Sequence, residues 1–544
     1  MVEERLRSPG EVPSSAVLDS AHVGDIQGAF GTIGEHERGA GRPWRQRVLA
    51  LLVIMGPGLI VMVGDNDAGG VATYAQAGQN FGTSLLWVLL LLIPVLIVNQ
   101  EMVVRLGAVT GVGHGRLIFE RFGKFWGWFS VGDLFLLNFL TIATEFIGIG
   151  LGATYFGVSP YIAVPVGALL LVGITVTGRF QAWERMMFIF LAGNALVIPL
   201  VVLAHPPAGA VFHGLLVPGI QGGLTSNGAL LIVAIVGTTV APWQLFFQQS
   251  NVVDKRITPR WINYERTDTI IGAFVVVIGA AAVMMAAAAA FGGTSLSGHF
   301  QNAETVAQGL SRHISSAVGD IFAVVLLDAS VIGASAVTLA TSYAFGDVFG
   351  IRHSLHRSWR DARLFYAIFT GVVVVAAGIV LIPSAPLGLI TTAVQALAGT
   401  LLPEASLFLL LLCNDRAVLG PWVNRAWLNV LATVILATLV MLSLILVVST
   451  IFSSINITVL LIVCGGVLVV GLAVIGLLTR GGGPKEVIER HREERSTWRM
   501  PPIALLTRPV PSRARTIGMA AMAGYLAVAM LMLLVKAIEL GTGH

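Results

Sequence analysis

The sequence predicts an all-α polytopic membrane protein, and three observations carry that prediction. Of the 544 residues, 56% are hydrophobic and only 11% are charged, whereas an ordinary soluble domain has about 25% charged residues. The apolar residues form long runs of membrane-spanning length. The basic residues collect in alternate gaps between those runs. This composition excludes a soluble enzyme or a nucleic-acid-binding module as the main body of the chain.

Thirteen apolar segments define the predicted membrane spans. Each is close to the length of about 20 residues that a membrane helix needs. They cover residues 48–77, 84–106, 126–152, 159–178, 185–204, 228–250, 268–291, 319–346, 364–382, 387–413, 425–450, 456–479 and 514–537. The polar segment before them, residues 1–46, is rich in Gly, Ser, Glu and Arg and is predicted to be a disordered cytoplasmic tail.

The order of the spans divides the chain into regions. The first repeat and the sixth helix occupy residues 47–250, and the remainder of a second repeat occupies residues 251–415. Additional transmembrane helices follow in residues 416–479. A charged cytoplasmic linker is expected over residues 480–513, and a C-terminal transmembrane helix with a short tail over residues 514–544.

The distribution of basic residues predicts the orientation in the membrane. When alternate gaps are assigned to one side, that side receives every one of the 33 Lys and Arg except Arg312 and Lys536. Because Lys and Arg are retained on the cytoplasmic side, the amino terminus is predicted to be cytoplasmic. We therefore predict an integral protein of the plasma (inner) membrane. The excess of basic over acidic residues then reflects the membrane topology and does not indicate a polyanionic partner.

Two predicted spans are interrupted in the middle. The first runs from Val48 to Val63 into residues 64–70, and the sixth runs from Leu230 to Val236 into residues 237–243, which include Pro242. Non-helical backbone at membrane depth is tolerated only where it lines a cavity or is packed by protein. Because the first and sixth helices hold equivalent places in two sets of five, the pattern indicates an inverted-repeat transporter with a site near the bilayer midplane.

The first interruption carries two acids, Asp65 and Asp67, without a neighbouring Lys or Arg in the sequence. An acid at that depth is costly and therefore indicates a functional site. Carboxylates together with unwound backbone carbonyls favour hard divalent cations such as Mg²⁺ or Mn²⁺. The alternative is that the acids lie near a helix end in contact with water.

Several motifs resemble those of the Nramp family of divalent-metal transporters, over roughly residues 50–450. The strings that carry the resemblance are Gly56-Pro57-Gly58, Asp67-Ala68-Gly69-Gly70-Val71-Ala72-Thr73, Arg105-Leu106-Gly107-Ala108-Val109-Thr110-Gly111, Ile142-Ala143-Thr144-Glu145, Gly237-Thr238-Thr239-Val240-Ala241-Pro242, and Gln395 with Pro403 and Asn414-Asp415-Arg416. The resemblance implies a leucine-transporter-like fold of two inverted five-helix repeats plus two or three extra C-terminal helices. It also implies divalent-metal transport by alternating access.

Two departures from the family pattern bear on the choice of ion. Ala241 stands where the resemblance places a metal-binding methionine, and Gly70 stands where it places an asparagine. The soft thioether that favours transition metals is therefore absent, and Mg²⁺ keeps part of its water in a roomy oxygen site. The chain in this respect resembles the Nramp-related magnesium transporters. Asp65 and Asn66 are predicted as additional ligands, direct or through water, and Gln395 as a ligand or gate hydrogen bond.

Other departures bear on proton coupling. The family histidine after the sixth-helix proline corresponds to Trp243, a later one falls near Gln248, and of the third-helix acid pair only Glu145 is present. Without titratable groups in series, we predict uncoupled transport. Glu145, Glu404, Gln244 and Trp243 are the candidate residues for a gate or a proton route.

Two alternatives remain open at this point. One is a proton-coupled Mn²⁺/Fe²⁺ symporter, and the more distant one is a sodium-coupled small-solute symporter of the same fold, in which two acids would repel a carboxylate substrate. No enzyme is predicted because no histidine lies deep in a span. The cysteines, Cys413 and Cys464, offer no CxxC site. The expected partners are the transported divalent metal and the lipid bilayer, with no resident cofactor, no nucleic acid, and a monomeric chain.

Overall fold

The computed structural model describes residues 16–37, 43–382, 386–452, 455–479 and 494–506, and parts of 516–531. Almost all of this is helix. In the first half of the chain the helices are α1 (Trp44–Ile54), α2 (Pro57–Val63), α3 (Ala68–Phe81), α4 (Leu86–Thr110), α5 (His114–Phe122), α6 (Lys124–Tyr155), α7 (Pro160–Thr175), α8 (Phe180–Asn194), α9 (Val197–Ala204) and α10 (Ala208–Leu216).

The second half continues with the sixth span. Its helices are α11 (Ser226–Thr239), α12 (Pro242–Asp254), α13 (Ile262–Phe291), α14 (Ala303–His313), α15 (Ser316–Phe349), α16 (Arg363–Val380), α17 (Leu387–Cys413), α18 (Arg416–Leu419), α19 (Ala426–Ile451) and α20 (Ile457–Thr479). Short 3-10 turns lie at Ser20–His22, Pro259–Trp261, Gly420–Trp422, Glu494–Ser496 and Ile503–Leu505.

The helices match the predicted membrane architecture. Within the described residues, nine helices are long and apolar enough to cross a membrane, and α1 with α2, bent by 52°, supplies a tenth. Two shorter apolar helices lie at Pro160–Thr175 and Ile457–Ala473. Each of the first twelve predicted segments therefore coincides with one helix or with two or three consecutive helices. The thirteenth, residues 514–537, falls largely outside the described residues.

The interrupted helices lie at the centre of the bundle. α3 packs against α13 and α17, α11 packs against α17, and α6 packs against α15. These contacts bury the backbone around both interruptions inside protein, away from lipid. That placement satisfies the requirement that irregular backbone at membrane depth be enclosed.

The prediction of a disordered tail is wrong for residues 16–37. Strands β1 (Ile26–Gly28) and β2 (Gly31–Ile33) pair antiparallel, and Ile26 and Ile33 are buried. Asp19 forms an ion pair with Arg357 at 2.6 Å. Burial raises the pKa of Asp19, but hydrogen bonds from Arg357 and Ala21 outweigh it and lower that pKa. Partners more than 300 residues away give this polar segment its order, and local composition does not reveal them.

The first span also contains an interruption that the sequence analysis missed. The run from Val48 to Val63 is broken at Met55 and Gly56, where Gly56 has φ of 153°. The carboxylate Asp268 Oδ2 accepts hydrogen bonds from the backbone N–H groups of Gly56 (3.0 Å) and Gly58 (2.8 Å). Lys255 Nζ donates to Met55 O at 2.8 Å. The backbone N–H and C=O groups that the bend leaves without helical hydrogen bonds are thus bound by charged side chains from elsewhere in the chain.

Candidate metal site

The first central break consists of residues 64–67, between the end of α2 and the start of α3, and is shorter than the predicted 64–70 because Asp67 caps α3 and Gly69 and Gly70 are helical. Asp67 is the N-cap of α3, and its Oδ1 accepts a hydrogen bond from Gly70 N at 2.6 Å. A carboxylate suits this position because it satisfies a free N–H and faces the positive end of the helix dipole. The Asp67 carboxyl group also has a side-chain hydrogen-bond contact with Glu145.

The second central break is shorter than predicted. α11 continues to Thr239 and α12 begins at Pro242, so only Val240 and Ala241 are non-helical, and not the whole stretch 237–243. Pro242 occupies the first position of α12, where a missing N–H costs nothing. Ala241 is 3% exposed and contributes no side-chain donor to the break.

Asp65 is a buried acid without hydrogen-bond partners among the described residues. Its side chain is fully buried, and neither carboxylate oxygen has a hydrogen-bond partner. In the described part of the chain, neither Asp65 nor Asp67 forms an ion pair. A buried carboxylate without a partner carries a large desolvation cost. A cation held between the two acids would remove that cost.

Glu145 meets Asp67 on the face of α15. Glu145 Oε2 accepts a hydrogen bond from Ala68 N at 3.1 Å. A Cβ placed on Gly333 would lie 2.6 Å from Glu145 Oε2 and 2.7 Å from Asp67 Cβ, so only glycine leaves room for both acids. The third-span acid is therefore adjacent to the first-span break, and Glu145 Oε1 is unpartnered.

Gln395 of α17 lies against both breaks. A Cβ on Gly69 would overlap Gln395 Nε2, and a Cβ on Gly237 would overlap Gln395 O. The side-chain amide is 2% exposed, and its Nε2 has no hydrogen-bond partner among the described residues. Since an amide group can rotate to present its oxygen, Gln395 is placed to serve as a ligand.

Asn66 points away from the two acids towards α13. Its Nδ2 donates to Val276 O at 3.1 Å and fills the space in front of Gly279. The Oδ1 atom of Asn66 has no partner. The hydrogen bond from Asn66 connects the break to α13. Only the Oδ1 atom of Asn66 is available for the predicted role as a ligand.

The sequence analysis missed three hydroxyl groups beside the breaks. Thr238 Oγ1 is buried without a partner and would lie 3.0 Å from a Cβ on Gly70. Tyr74 OH and Thr239 Oγ1 are 2.8 Å apart and form a hydrogen bond. The sequence did contain a hint of this role, because Thr238 and Thr239 fall inside the predicted interruption of the sixth span. Only the packing of α3 against α11 shows that they lie beside the first break.

Trp243 and Gln244 lie just beyond the second break on α12. The Trp243 ring faces Gly64 and packs edge-on against Phe247, with centroids 6.0 Å apart. Gln244 Oε1 accepts a hydrogen bond from Gln100 Nε2 at 3.0 Å. Trp243 thus lies against the first break and Gln244 against α4, and their role in a gate stays a prediction.

Glu404 belongs to a different cluster from the two acids of the first break. It faces Asp133 and Ser130 of α6 across a cavity of about 10 Å³, which is also lined by Pro242 and Phe246. The break residues Asp65 and Asp67 do not line this cavity. Glu404 is thus a neighbour of α12, and any part it plays in a proton route would run through Asp133.

The two breaks together present a set of oxygen donors. No group of three His, Cys, Asp or Glu residues poised to hold a metal is found among the described residues. The available set is two carboxylates, the free oxygens of amides and hydroxyls, and backbone carbonyls. Such a set matches a hard cation that keeps several of its waters.

Comparisons with known proteins agree with this architecture. The family model described as Natural resistance-associated macrophage protein-like (Nramp) matches residues 58–449. The divalent metal cation transporter MntH of Bacillus subtilis is 26% identical over 399 residues, covering 70% of this chain and 88% of that protein. MntH 1 of Pseudomonas aeruginosa is 28% identical over 417 residues, covering 71% and 88%.

A solved structure gives the same result for the fold. The crystal structure of the Eremococcus coleocola manganese transporter, in complex with an aromatic bis-isothiourea substituted compound, superposes with a TM-score of 0.60. It is 18% identical and covers 82% of this chain and 98% of its own. This likeness confirms the predicted fold class, a polytopic all-α protein of the leucine-transporter-like type.

Proposed function

The chain belongs to the Nramp family, whose model matches residues 58–449, and from that premise we propose that it carries divalent metal cations across the membrane by alternating access. We assign Mg²⁺ as the principal ion, Mn²⁺ as the second, and uptake as the direction. The curated relatives named MntH are described as divalent metal cation transporters. The protein is integral to the membrane, and we place it in the plasma membrane as a monomer with a cytoplasmic amino terminus.

One observation carries the assignment of the site. Asp65 and Asp67 share a buried break, and both oxygens of Asp65 lack a hydrogen-bond partner. Two uncompensated carboxylates at membrane depth carry a large desolvation free energy unless a cation is bound. A dication balances both charges at once, which a monovalent cation does not do.

The choice of Mg²⁺ rests on what the breaks lack. Ala241 supplies no sulfur, and a Cβ at Gly70 would lie 2.6 Å from Asp65 O and 3.0 Å from Thr238 Oγ1, so Gly70 lets these oxygens approach the start of α3. Soft ligands select transition metals, whereas Mg²⁺ is bound by a few carboxylates and retained water. A set of oxygen donors without sulfur therefore favours Mg²⁺.

Uncoupled transport is the second part of the proposal. Trp243 and Gln248 do not exchange protons near neutral pH, and Gln248 Nε2 is engaged with Thr269 Oγ1 at 2.9 Å. The proton-coupled Mn²⁺/Fe²⁺ alternative is favoured by one contact, the approach of Glu145 to Asp67 beside Gly333. Protonation of Glu145 in that position would respond to the charge of a bound ion.

Reconstituted protein distinguishes these two functions. In proteoliposomes that contain an Mg²⁺ indicator and a pH indicator, we expect Mg²⁺ entry down its gradient without acidification of the lumen. Empty liposomes and the variant Asp67→Ala serve as controls. Acidification in step with metal entry would contradict uncoupled transport, and Mn²⁺ entry without any Mg²⁺ entry would contradict the assigned ion.

The same assay tests the soft-ligand argument. Ala241→Met is expected to raise the ratio of Mn²⁺ to Mg²⁺ uptake on the order of tenfold, because it restores a thioether to the second break. Ala241→Leu is the matched control, since it adds similar bulk without sulfur. An equal ratio in both variants would show that Ala241 does not set the preference.

A further inference from the structure

Four arginines surround a cavity far from the two breaks. The cavity has a volume of about 250 Å³, and its lining includes Arg105, Arg266, Arg425 and Arg495. They come from the last two turns of α4, the first two turns of α13, the N-cap of α19 and the 3-10 turn Glu494–Ser496. All four sequence segments are on the side predicted to be cytoplasmic. The cavity therefore lies where helix ends leave the membrane.

Among the described residues, the positive charge of this cavity is largely uncompensated. Glu101 is the single acid in its lining. Glu101 Oε2 pairs with Arg105 Nη2 at 3.0 Å, and Glu101 Oε1 accepts from Arg266 Nε at 3.0 Å. Within the described residues, Arg425 and Arg495 have no carboxylate partner. One carboxylate thus faces four guanidinium groups.

The guanidinium groups are held in place but keep free donors. Arg105 is 2% exposed, and its Nη2 donates to Asn424 Oδ1 at 2.6 Å, while its Nε is unpartnered. The Arg495 guanidinium stacks on Trp422 at 4.1 Å from the ring centroid, and its Nε is also unpartnered. Burial, together with Arg425, Arg266 and Arg105, lowers the pKa of Arg495. Such crowding of like charge is costly unless an anion is bound.

The remaining residues that line the cavity are apolar, and one of them is exposed on the surface of the protein. They are Ile97 and Val98 of α4 and Val423, Trp427 and Leu428 before and within α19. The Trp427 ring is 61% exposed at the first turn of α19. Tryptophan favours the boundary between headgroups and acyl chains. A ligand in this cavity would contact both basic groups and apolar side chains.

We propose that this cavity binds the phosphate group of an anionic phospholipid from the leaflet next to the basic loops. The planar fork of arginine matches phosphate oxygens in a bidentate manner. Basic pockets between membrane helices on this side bind anionic headgroups. Inorganic phosphate offers the same chemistry, but the apolar lining that includes Trp427 favours a lipid. This site is independent of the transported ion, because none of its residues lies in either break.

Lipid binding by the purified full-length protein tests the proposal. Native mass spectrometry with added phosphatidylglycerol or phosphatidylcholine would give the affinity for each lipid. We expect phosphatidylglycerol to bind more tightly, and the double variant Arg425→Gln/Arg495→Gln to weaken it by about 30-fold, since each arginine contributes near an anionic headgroup. The matched control, Arg360→Gln/Arg363→Gln, removes two exposed charges from another loop on the same side and should bind as the wild type does.

A competition arm separates the two sources of phosphate. Displacement of phosphatidylglycerol by millimolar inorganic phosphate would assign the site to phosphate from either source, and resistance to it would assign the site to the lipid. Equal affinity for both lipids, or equal loss in the control variant, would overturn the proposal. If the double variant does not purify, the single variant Arg425→Gln, whose side chain is exposed, answers the same question.

Discussion

Replacing Asp67 by alanine is expected to abolish divalent metal binding, with at least about a 100-fold loss in affinity measured by isothermal titration calorimetry. Loss of groups that merely support metal ligands costs about 10–100-fold, and Asp67 is proposed as a direct ligand. Its carboxylate also caps α3 through Gly70 N. The alanine variant therefore loses a cap of about 1 kcal/mol as well.

Two further variants separate the ligand role of Asp67 from its structural role. Asp67→Asn keeps an acceptor for the cap but loses the charge, and it should also fail to bind metal. Asp328→Asn removes an acid from α15 that lies outside the site, and it should bind with wild-type affinity. If Asp67→Asn binds as tightly as the wild type, the charge of Asp67 does not hold the ion.

Replacing Lys255 by methionine is expected to lower the free energy of unfolding by about 3–5 kcal/mol, because it leaves the buried carboxylate of Glu184 without its counter-charge. Lys255 and Glu184 are fully buried and form an ion pair at 2.6 Å. Asp268 and Glu265 are buried nearby, and both oxygens of Glu265 are unpartnered. Without the ammonium group, three acids would face one another at the bend between α1 and α2. Chemical denaturation of the detergent-purified protein measures the change.

The double variant Lys255→Met/Glu184→Gln is the control for this effect. It removes both charges of the pair and keeps an acceptor for Ala29 N, which donates to Glu184 Oε2. Its stability should lie closer to that of the wild type than the stability of the single variant does. A single variant as stable as the wild type would show that Lys255 does not compensate these acids.

The membrane helices and the first break followed from the sequence because their causes are local. Apolar runs fix the spans, and the change from apolar residues to Gly64, Asp65, Asn66 and Asp67 marks the end of α2. The break at Ala241 followed in the same way from Pro242, although the helix extends further towards it than the glycine and threonines suggested. The Nramp motifs supplied the family, which the matched residues 58–449 confirm.

The features that escaped prediction depend on partners distant in the chain. Lys255 and Asp268 hold the bend at Gly56 from about 200 residues away. Thr238 belongs to the surroundings of the first break only because α11 packs beside α3. The segment 16–37 is ordered by contacts such as that between Asp19 and Arg357. No local pattern of composition or periodicity reports such pairs.

The position of a bound ion tests the central claim most directly. Crystals of the protein grown with Mn²⁺ and measured at the manganese absorption edge would locate the metal by its anomalous scattering. We expect one strong peak between the breaks, within coordination distance of the carboxylates of Asp67 and Asp65 and next to Ala241. A peak elsewhere in the membrane interior, with none at Asp67, would contradict it.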